Sequence, residues 1–254
     1  MPAKKRNGNG NSSGIGSMSN KQLKRKKPVN SDVMVDIKPL TKSQERFFDA
    51  YKKGKNIFAY GCAGTGKTFV GLYLALRDVL DQMTPYENVY VVRSLVSTRE
   101  IGFLPGDHED KSFLYQIPYK HMVKYMFEMG DDSEFEMLYG ALKGQESVKF
   151  WSTSFIRGTT LDNSIVLVDE MQNLNFHELD SIITRVGENS KIIFCGDASQ
   201  SDLTRTNERN GILEFMKIIS AMDQDFESIE FGLDDIVRSG LVRKYLFTKI
   251  SLGL

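Results

Sequence analysis

Segments 56–60, 88–93, 164–169 and 191–195 each hold an uninterrupted apolar run, at 57–60, 89–92, 165–168 and 192–195. Such runs are expected of strands buried on both faces of a sheet, where no alternation with polar residues is needed. Residues 148–155 alternate instead, which predicts an edge strand, and 227–231 supplies one more. Helical segments are predicted between these runs. Thr41 caps a helix whose apolar face is Phe47, Phe48, Ala50 and Tyr51, with Gln44 at the capping-box position and Gly54 at its end. Further helices are predicted over 67–83 (punctuated by Thr84-Pro85), 113–129, 133–142, 176–186, 211–220 and 233–247. Strands alternating with helices predict an α/β fold with a mostly parallel central sheet covered on both faces. No internal repeat is visible.

Composition adds limits. At 254 residues, with 41% hydrophobic and 26% charged residues, the chain has globular values and ample material for a core. No apolar run approaches the length of a membrane span, and the N-terminus has no hydrophobic signal core, so no membrane association is expected. Two cysteines, Cys62 and Cys195, make no disulfide framework, and a cytoplasmic location is the simpler expectation. His108, His121 and His177 share no metal-ligand spacing with them.

The formal charge of zero conceals an asymmetry. Residues 1–31 carry eight basic residues and no acid, which leaves 25 basic against 33 acidic residues, a net −8, for the remainder. Rich in Asn, Gly and Ser, residues 1–31 read as a disordered basic tail preceding one domain over 32–254. Basic arms track nucleic-acid phosphate or an acidic partner; a solvated tail that aids solubility fits the same composition.

The candidate chemistry begins after the first strand. Gly61-Cys62-Ala63-Gly64-Thr65-Gly66-Lys67-Thr68 fills every fixed position of G-x-x-x-x-G-K-[ST], in a strand–loop–helix context. Glycines let the backbone wrap a phosphate with its N–H groups pointing inward, and the following helix adds unpaired N–H groups and a positive dipole end. In this pattern Lys67 reaches the β- and γ-phosphates and the Thr68 hydroxyl binds Mg²⁺.

Two more strands end in polar residues that belong at the same edge of a parallel sheet. Ile165-Val166-Leu167-Val168 runs into Asp169-Glu170; Asp169 fits the Mg²⁺ partner of Thr68, and Glu170 fits a general base for the attacking water. Ile193-Phe194-Cys195 runs into Gly196-Asp197-Ala198-Ser199-Gln200, placing an amide, Gln200, where it can bond both the γ-phosphate and that water. A water-activating carboxylate favours hydrolysis over transfer to an acceptor, which weighs against a small-molecule kinase. No Asn-Lys-x-Asp guanine motif is present, which weighs against a GTPase.

With Asp169-Glu170-Met171-Gln172-Asn173 and Gly196-Asp197-Ala198-Ser199-Gln200 beside the phosphate loop, the sequence resembles the PhoH family of P-loop ATPases, relatives of superfamily 1 helicase cores. Further matching motifs are Gly102-Phe103-Leu104-Pro105-Gly106-Asp107, Phe155-Ile156-Arg157-Gly158, Thr184-Arg185-Val186-Gly187, Asp202-Leu203 and Asp235-Ile236-Val237-Arg238, so the resemblance spans roughly residues 41–247. Leu114, Met171, Thr159 and Ser239 depart from the residues usual in the family. The resemblance implies a P-loop NTPase fold of RecA/helicase type, a three-layer sandwich. Its ligands would be ATP and Mg²⁺, with RNA or single-stranded DNA as the polymer acted on.

Phosphoryl transfer also benefits from an arginine at the γ-phosphate, often from a neighbouring subunit. Arg157, Arg185, Arg205 and Arg238 are candidates, and the resemblance favours Arg157, Arg185 and Arg238. Helicase relatives clamp ATP between two cores, and this chain has room for one. A neighbouring copy would therefore complete the pocket, and the resemblance implies a homo-oligomeric ring, a hexamer. Gln44 is the expected adenine ligand, since an amide matches the donor and acceptor of the base edge, and relatives place a glutamine at this distance before the loop. The rival from another class is an ATP-controlled assembly or regulatory switch acting on a protein, with no work done on nucleic acid.

Overall fold

The apolar runs become six strands: β1 Asn56–Gly61, β2 Asn88–Arg93, β3 Val148–Ser152, β4 Ser164–Asp169, β5 Lys191–Gly196 and β6 Phe226–Phe231. They form one sheet in the order β3-β2-β4-β5-β1-β6, and every neighbouring pair is parallel. The structure is a computed structural model that describes residues 29–94, 108–153, 156, 158–197 and 206–252. The basic tail to residue 28, the motif at 102–107, Arg157, Gln200, the Asp202-Leu203 pair and Arg205 lie outside the described residues.

Seven helices connect these strands among the described residues: α1 Lys42–Lys52, α2 Lys67–Leu80, α3 His108–Met126, α4 Asp132–Gly144, α5 Phe176–Ile183, α6 Thr206–Ala221 and α7 Gly240–Ser251. Side chains of successive strand residues point to opposite faces, and this alternation divides the core in two. Ile57, Ala59, Ile165, Leu167, Ile193 and Cys195 pack beneath α1 to α4. Phe58, Val166, Val168, Ile192 and Phe194 pack against α5 and α6. This is the three-layer sandwich expected. At about 2 kcal/mol for each fully buried large apolar side chain, the two faces hold the layers together. No described side chain of α7 is buried, so that helix belongs to neither core.

Boundaries differ from expectation where tertiary contacts take over. The helix expected over 233–247 is split into a 3-10 turn, Leu233–Asp235, an extended link and α7. The Asp235 carboxylate turns back to accept from Gly232 N–H at 2.9 Å, and Val237 N–H donates to Gly64 O at 3.1 Å, so the link is drawn along the phosphate loop rather than coiled. The helix expected over 176–186 stops at Ile183, because Leu161 N–H donates to Arg185 O and Leu161 forms a parallel bridge with Val186. The helix expected over 113–129 starts earlier, at His108, and ends at Met126, ahead of Glu128 with φ +51°.

Candidate functional site

The carboxyl ends of β1, β5, β4 and β2 lie side by side, with Tyr60 in register with Gly196 and Arg93 with Asp169. The loop between β1 and α2 begins at Gly61, whose φ is +112°, and a Cβ there would stand 2.3 Å from Phe231 O. Only glycine allows the loop to pass so close to β6, and Cys62 N–H closes the contact by donating to Phe231 O at 2.9 Å. Gly64 has φ +74°, and a Cβ there would meet the Arg238 side chain at 2.8 Å. Thr65 is buried, and its hydroxyl donates to Cys62 O at 3.0 Å. Lys67, 7% exposed, donates from Nζ to Gly61 O at 2.8 Å and Cys62 O at 2.7 Å and lies 3.2 Å from Thr65 Oγ1. Burial pushes its ammonium below the ordinary value, opposed by Cys195, Asp197, Cys62 and Glu170 nearby.

A cavity of about 410 Å³ opens over this loop, bounded also by Arg93, Tyr119, Asp169, Glu170, Asp197 and Arg238. At its inner end Thr68 Oγ1 donates to Asp169 Oδ1 at 2.6 Å. A magnesium ion in such sites takes few protein ligands and keeps phosphate oxygens and waters. The hydroxyl–carboxylate pair beside the loop fits that demand, and the cavity over the loop, with Lys67 and Arg238 at its border, fits a chain of phosphates.

Glu170 follows β4 with φ +51°, a left-handed conformation uncommon for a side-chain-bearing residue and costing of order 1–3 kcal/mol. Its Oε2 accepts from Gln172 Nε2 at 2.5 Å, and Gln172 Oε1 accepts in turn from Asp197 N–H at 3.0 Å. Gln172 therefore ties the end of β4 to the segment just after β5, which leads toward Gln200.

Gln44 is buried at the opposite side of the loop. It donates from Nε2 to Thr65 O at 2.9 Å and accepts Leu40 N–H on Oε1 at 2.8 Å. Its side chain thus reaches Leu40 instead of closing a capping box on Thr41, whose hydroxyl oxygen does accept Gln44 N–H. One N–H and one oxygen lone pair of the amide remain. A groove of about 480 Å³ beside it is bounded by Leu40, Gly64, Gly66, Val237 and Arg238.

The arginine candidates separate. Arg238 borders the cavity. Arg185 lies beyond α5, beside the start of β4, at the opposite edge of the sheet from the loop; its Nε is buried without a partner among the described residues. Three residues in the site have no assigned role in the sequence reading: Arg93, Tyr119 and Gln172. A charged residue closing the apolar run 88–93 was a usable signal for Arg93. Nothing local marks Tyr119, which reaches the site from α3.

The last motif has a structural task. Asp235 Oδ2 accepts from Ser43 Oγ at 2.8 Å as well as from Gly232 N–H, fastening the link before α7 to the start of α1. Burial raises its pKa, but hydrogen bonds from Thr41, Ser43 and Gly232 outweigh that, and the net shift is downward. A depressed folded-state pKa contributes stability that is present above the unfolded value and lost as pH falls through the folded one. Asp235→Ala is therefore expected to cost about 2 kcal/mol near neutral pH. Chemical denaturation as a function of pH checks this: the gap to the wild type should close below the ordinary carboxylate range, and a pH-independent gap would contradict it.

An all-parallel sheet with a glycine-rich loop between β1 and α2, and a β4 carboxylate on the hydroxyl after the loop lysine, defines the P-loop nucleoside triphosphatase fold. A profile of the family described as PhoH-like protein matches residues 36–248, and the chain belongs to that family. Protein PhoH2 of Bacillus subtilis is 32% identical over 157 residues, covering 61% of this chain and 35% of that protein. A PhoH-like protein of Mycobacterium leprae is 30% identical over 207 residues, 81% of this chain and 56% of that protein. The chain thus spans between about a third and somewhat over half of these relatives. Among solved structures, similarity extends to the large terminase of a thermophilic bacteriophage in complex with ADP (TM-score 0.47, 12% identity, 82% of this chain and 49% of that one). It extends also to Bacteroides sp. Pif1 in complex with ADP-AlF4 (TM-score 0.41, 14% identity, 80% and 44%).

Proposed function

We propose that this chain binds ATP with Mg²⁺ and hydrolyses it, and that the cycle is coupled to binding or remodelling of RNA or single-stranded DNA. The observation that carries the first part is the 2.6 Å contact between Thr68 and Asp169 at the inner end of a cavity floored by the loop. Backbone N–H groups of residues 63–68 and the Lys67 ammonium hold the phosphates, which Lys67 meets by exchanging the loop carbonyls for phosphate oxygens. Bound there, Mg²⁺ would supply neutralisation of the charge that develops on the phosphates. Asp169 and the Thr68 hydroxyl face that charge, while Glu170, aimed by Gln172, takes the proton of the attacking water. Gln200 senses the γ-phosphate in this scheme. Adenine lies in the groove beside Gln44, whose free N–H and lone pair meet the base edge.

Arg238 serves this pocket in cis. Arg185, at the far edge of its own sheet, is suited only to the pocket of a neighbouring copy, and Arg157 is the other candidate there. This reading calls for a homo-oligomer, with a hexameric ring as the proposed form. No described helix is long and apolar enough to cross a membrane, and the free Cys62 and Cys195 suit a reducing cytoplasm.

The polymer half rests on the basic residues of the tail and on the family. Phosphate release measured with and without single-stranded RNA or DNA, on a sample of known oligomeric state, tests it. Several-fold stimulation, weakening as salt rises, is expected. Turnover indifferent to polymer at every salt concentration would leave the ATP-controlled switch on a protein partner as the better reading.

A further inference from the structure

The metal-facing carboxylate has a second anchor. Tyr119 OH donates to Asp169 Oδ2 at 2.6 Å, while Thr68 Oγ1 occupies Oδ1. We propose that Tyr119 is a positioning residue for Asp169, with Arg93 beside the pair, so that α3 sets how strongly the nucleotide site holds its divalent cation. The inference rests on the Mg²⁺-nucleotide reading above.

A carboxylate at a strand end can turn about its terminal torsion, which is broad and roughly two-fold. Donors on both oxygens remove that freedom and leave the remaining lone pairs in one direction. Tyr119 is 2% exposed, with its ring tilted against Phe150 at a centroid distance of 5.5 Å, so the phenol cannot swing away. Its hydroxyl has one proton to place. Arg93, paired in register with Asp169 across β2 and β4, brings a positive charge beside both the phenol and that carboxylate. The Arg93 guanidinium is itself steadied over the Tyr115 ring at 6.0 Å. Tyr119 and Thr68 thus both donate to Asp169, one to each carboxylate oxygen, tying α3 and the start of α2 to the end of β4.

Partners behind a ligand orient it, and removing one typically costs ten- to a hundred-fold in metal affinity. A hydroxyl that merely satisfied a buried polar group would have no such effect. Tyr119→Phe keeps the ring and deletes the donor; Arg93→Gln keeps the phenol and deletes the guanidinium. The test is the affinity of a fluorescent ATP analogue with Mg²⁺ relative to its affinity in EDTA, with Mn²⁺ paramagnetic resonance reporting the bound ion directly. For Tyr119→Phe this ratio is expected to fall about ten-fold, with the Mn²⁺ spectrum broadened. Arg93→Gln should shift both in the same direction by less. A folded Tyr119→Phe protein that matches the wild type in ratio and spectrum overturns the inference while leaving the Mg²⁺-nucleotide reading intact. Should that variant not fold, wild-type behaviour of Arg93→Gln overturns it equally. A wild-type protein whose nucleotide binding ignores Mg²⁺ overturns both.

Discussion

Lys67→Ala is expected to lower ATP turnover by at least about two to three orders of magnitude, the loss seen when one preorganised charge-stabilising donor is removed. The ammonium stands inside the loop on its own carbonyls, and it is 7% exposed, so water cannot replace it at full strength. Its present partners, Gly61 O and Cys62 O, are loop carbonyls, an arrangement that keeps the charge solvated by the loop until phosphate arrives. Phosphate release and equilibrium binding of a fluorescent ATP analogue, measured together, check the prediction. Both should fall, turnover the more. Turnover within a few-fold of wild type would remove the loop from the chemistry.

The second large effect is expected at the adjacent acid. Glu170→Gln should retain ATP binding within a few-fold and lose about two to four orders of magnitude in hydrolysis, the range for loss of a general base. The amide keeps the size of the side chain but cannot accept a proton from water. The bond from Gln172 and the left-handed backbone at Glu170, φ +51°, fix where this carboxylate stands. Single-turnover hydrolysis beside a binding titration separates the two steps. Undiminished hydrolysis would require a different residue as base.

The fold was largely legible because its strands are buried on both faces. The segments 88–93 and 164–169 coincide with β2 and β4 residue for residue, since in a strand covered twice the apolar run is continuous and the polar residues on either side mark its ends. Legibility failed where a long-range contact sets the local conformation. The segment 233–247 has helical composition throughout, yet Asp235 is drawn to Ser43 and Val237 to Gly64, partners more than a hundred residues away in the chain. The site divides in the same manner. The placement of Gly61, Lys67, Thr68, Asp169 and Glu170 around one cavity and the loop that floors it was readable because it depends on neighbours in sequence, within a loop or at the end of a strand. Gln172 stood inside a recognised motif, but its bridge from Glu170 to Asp197 exists only because β4 and β5 are adjacent.

What the amino-acid sequence determined alone was the α/β class, the phosphate loop and the acids that belong with it, because periodicity and local spacing encode these directly. Only the tertiary structure decided that Tyr119 from α3 and Arg93 from β2 converge on Asp169, and that Gln44 is bonded to the loop carbonyl of Thr65. It also decided that Arg238 and Arg185 stand at opposite edges of one sheet. The physical reason is that strand order, β3-β2-β4-β5-β1-β6, does not follow chain order. Residues far apart in sequence become neighbours through buried packing, which no local pattern of side chains records.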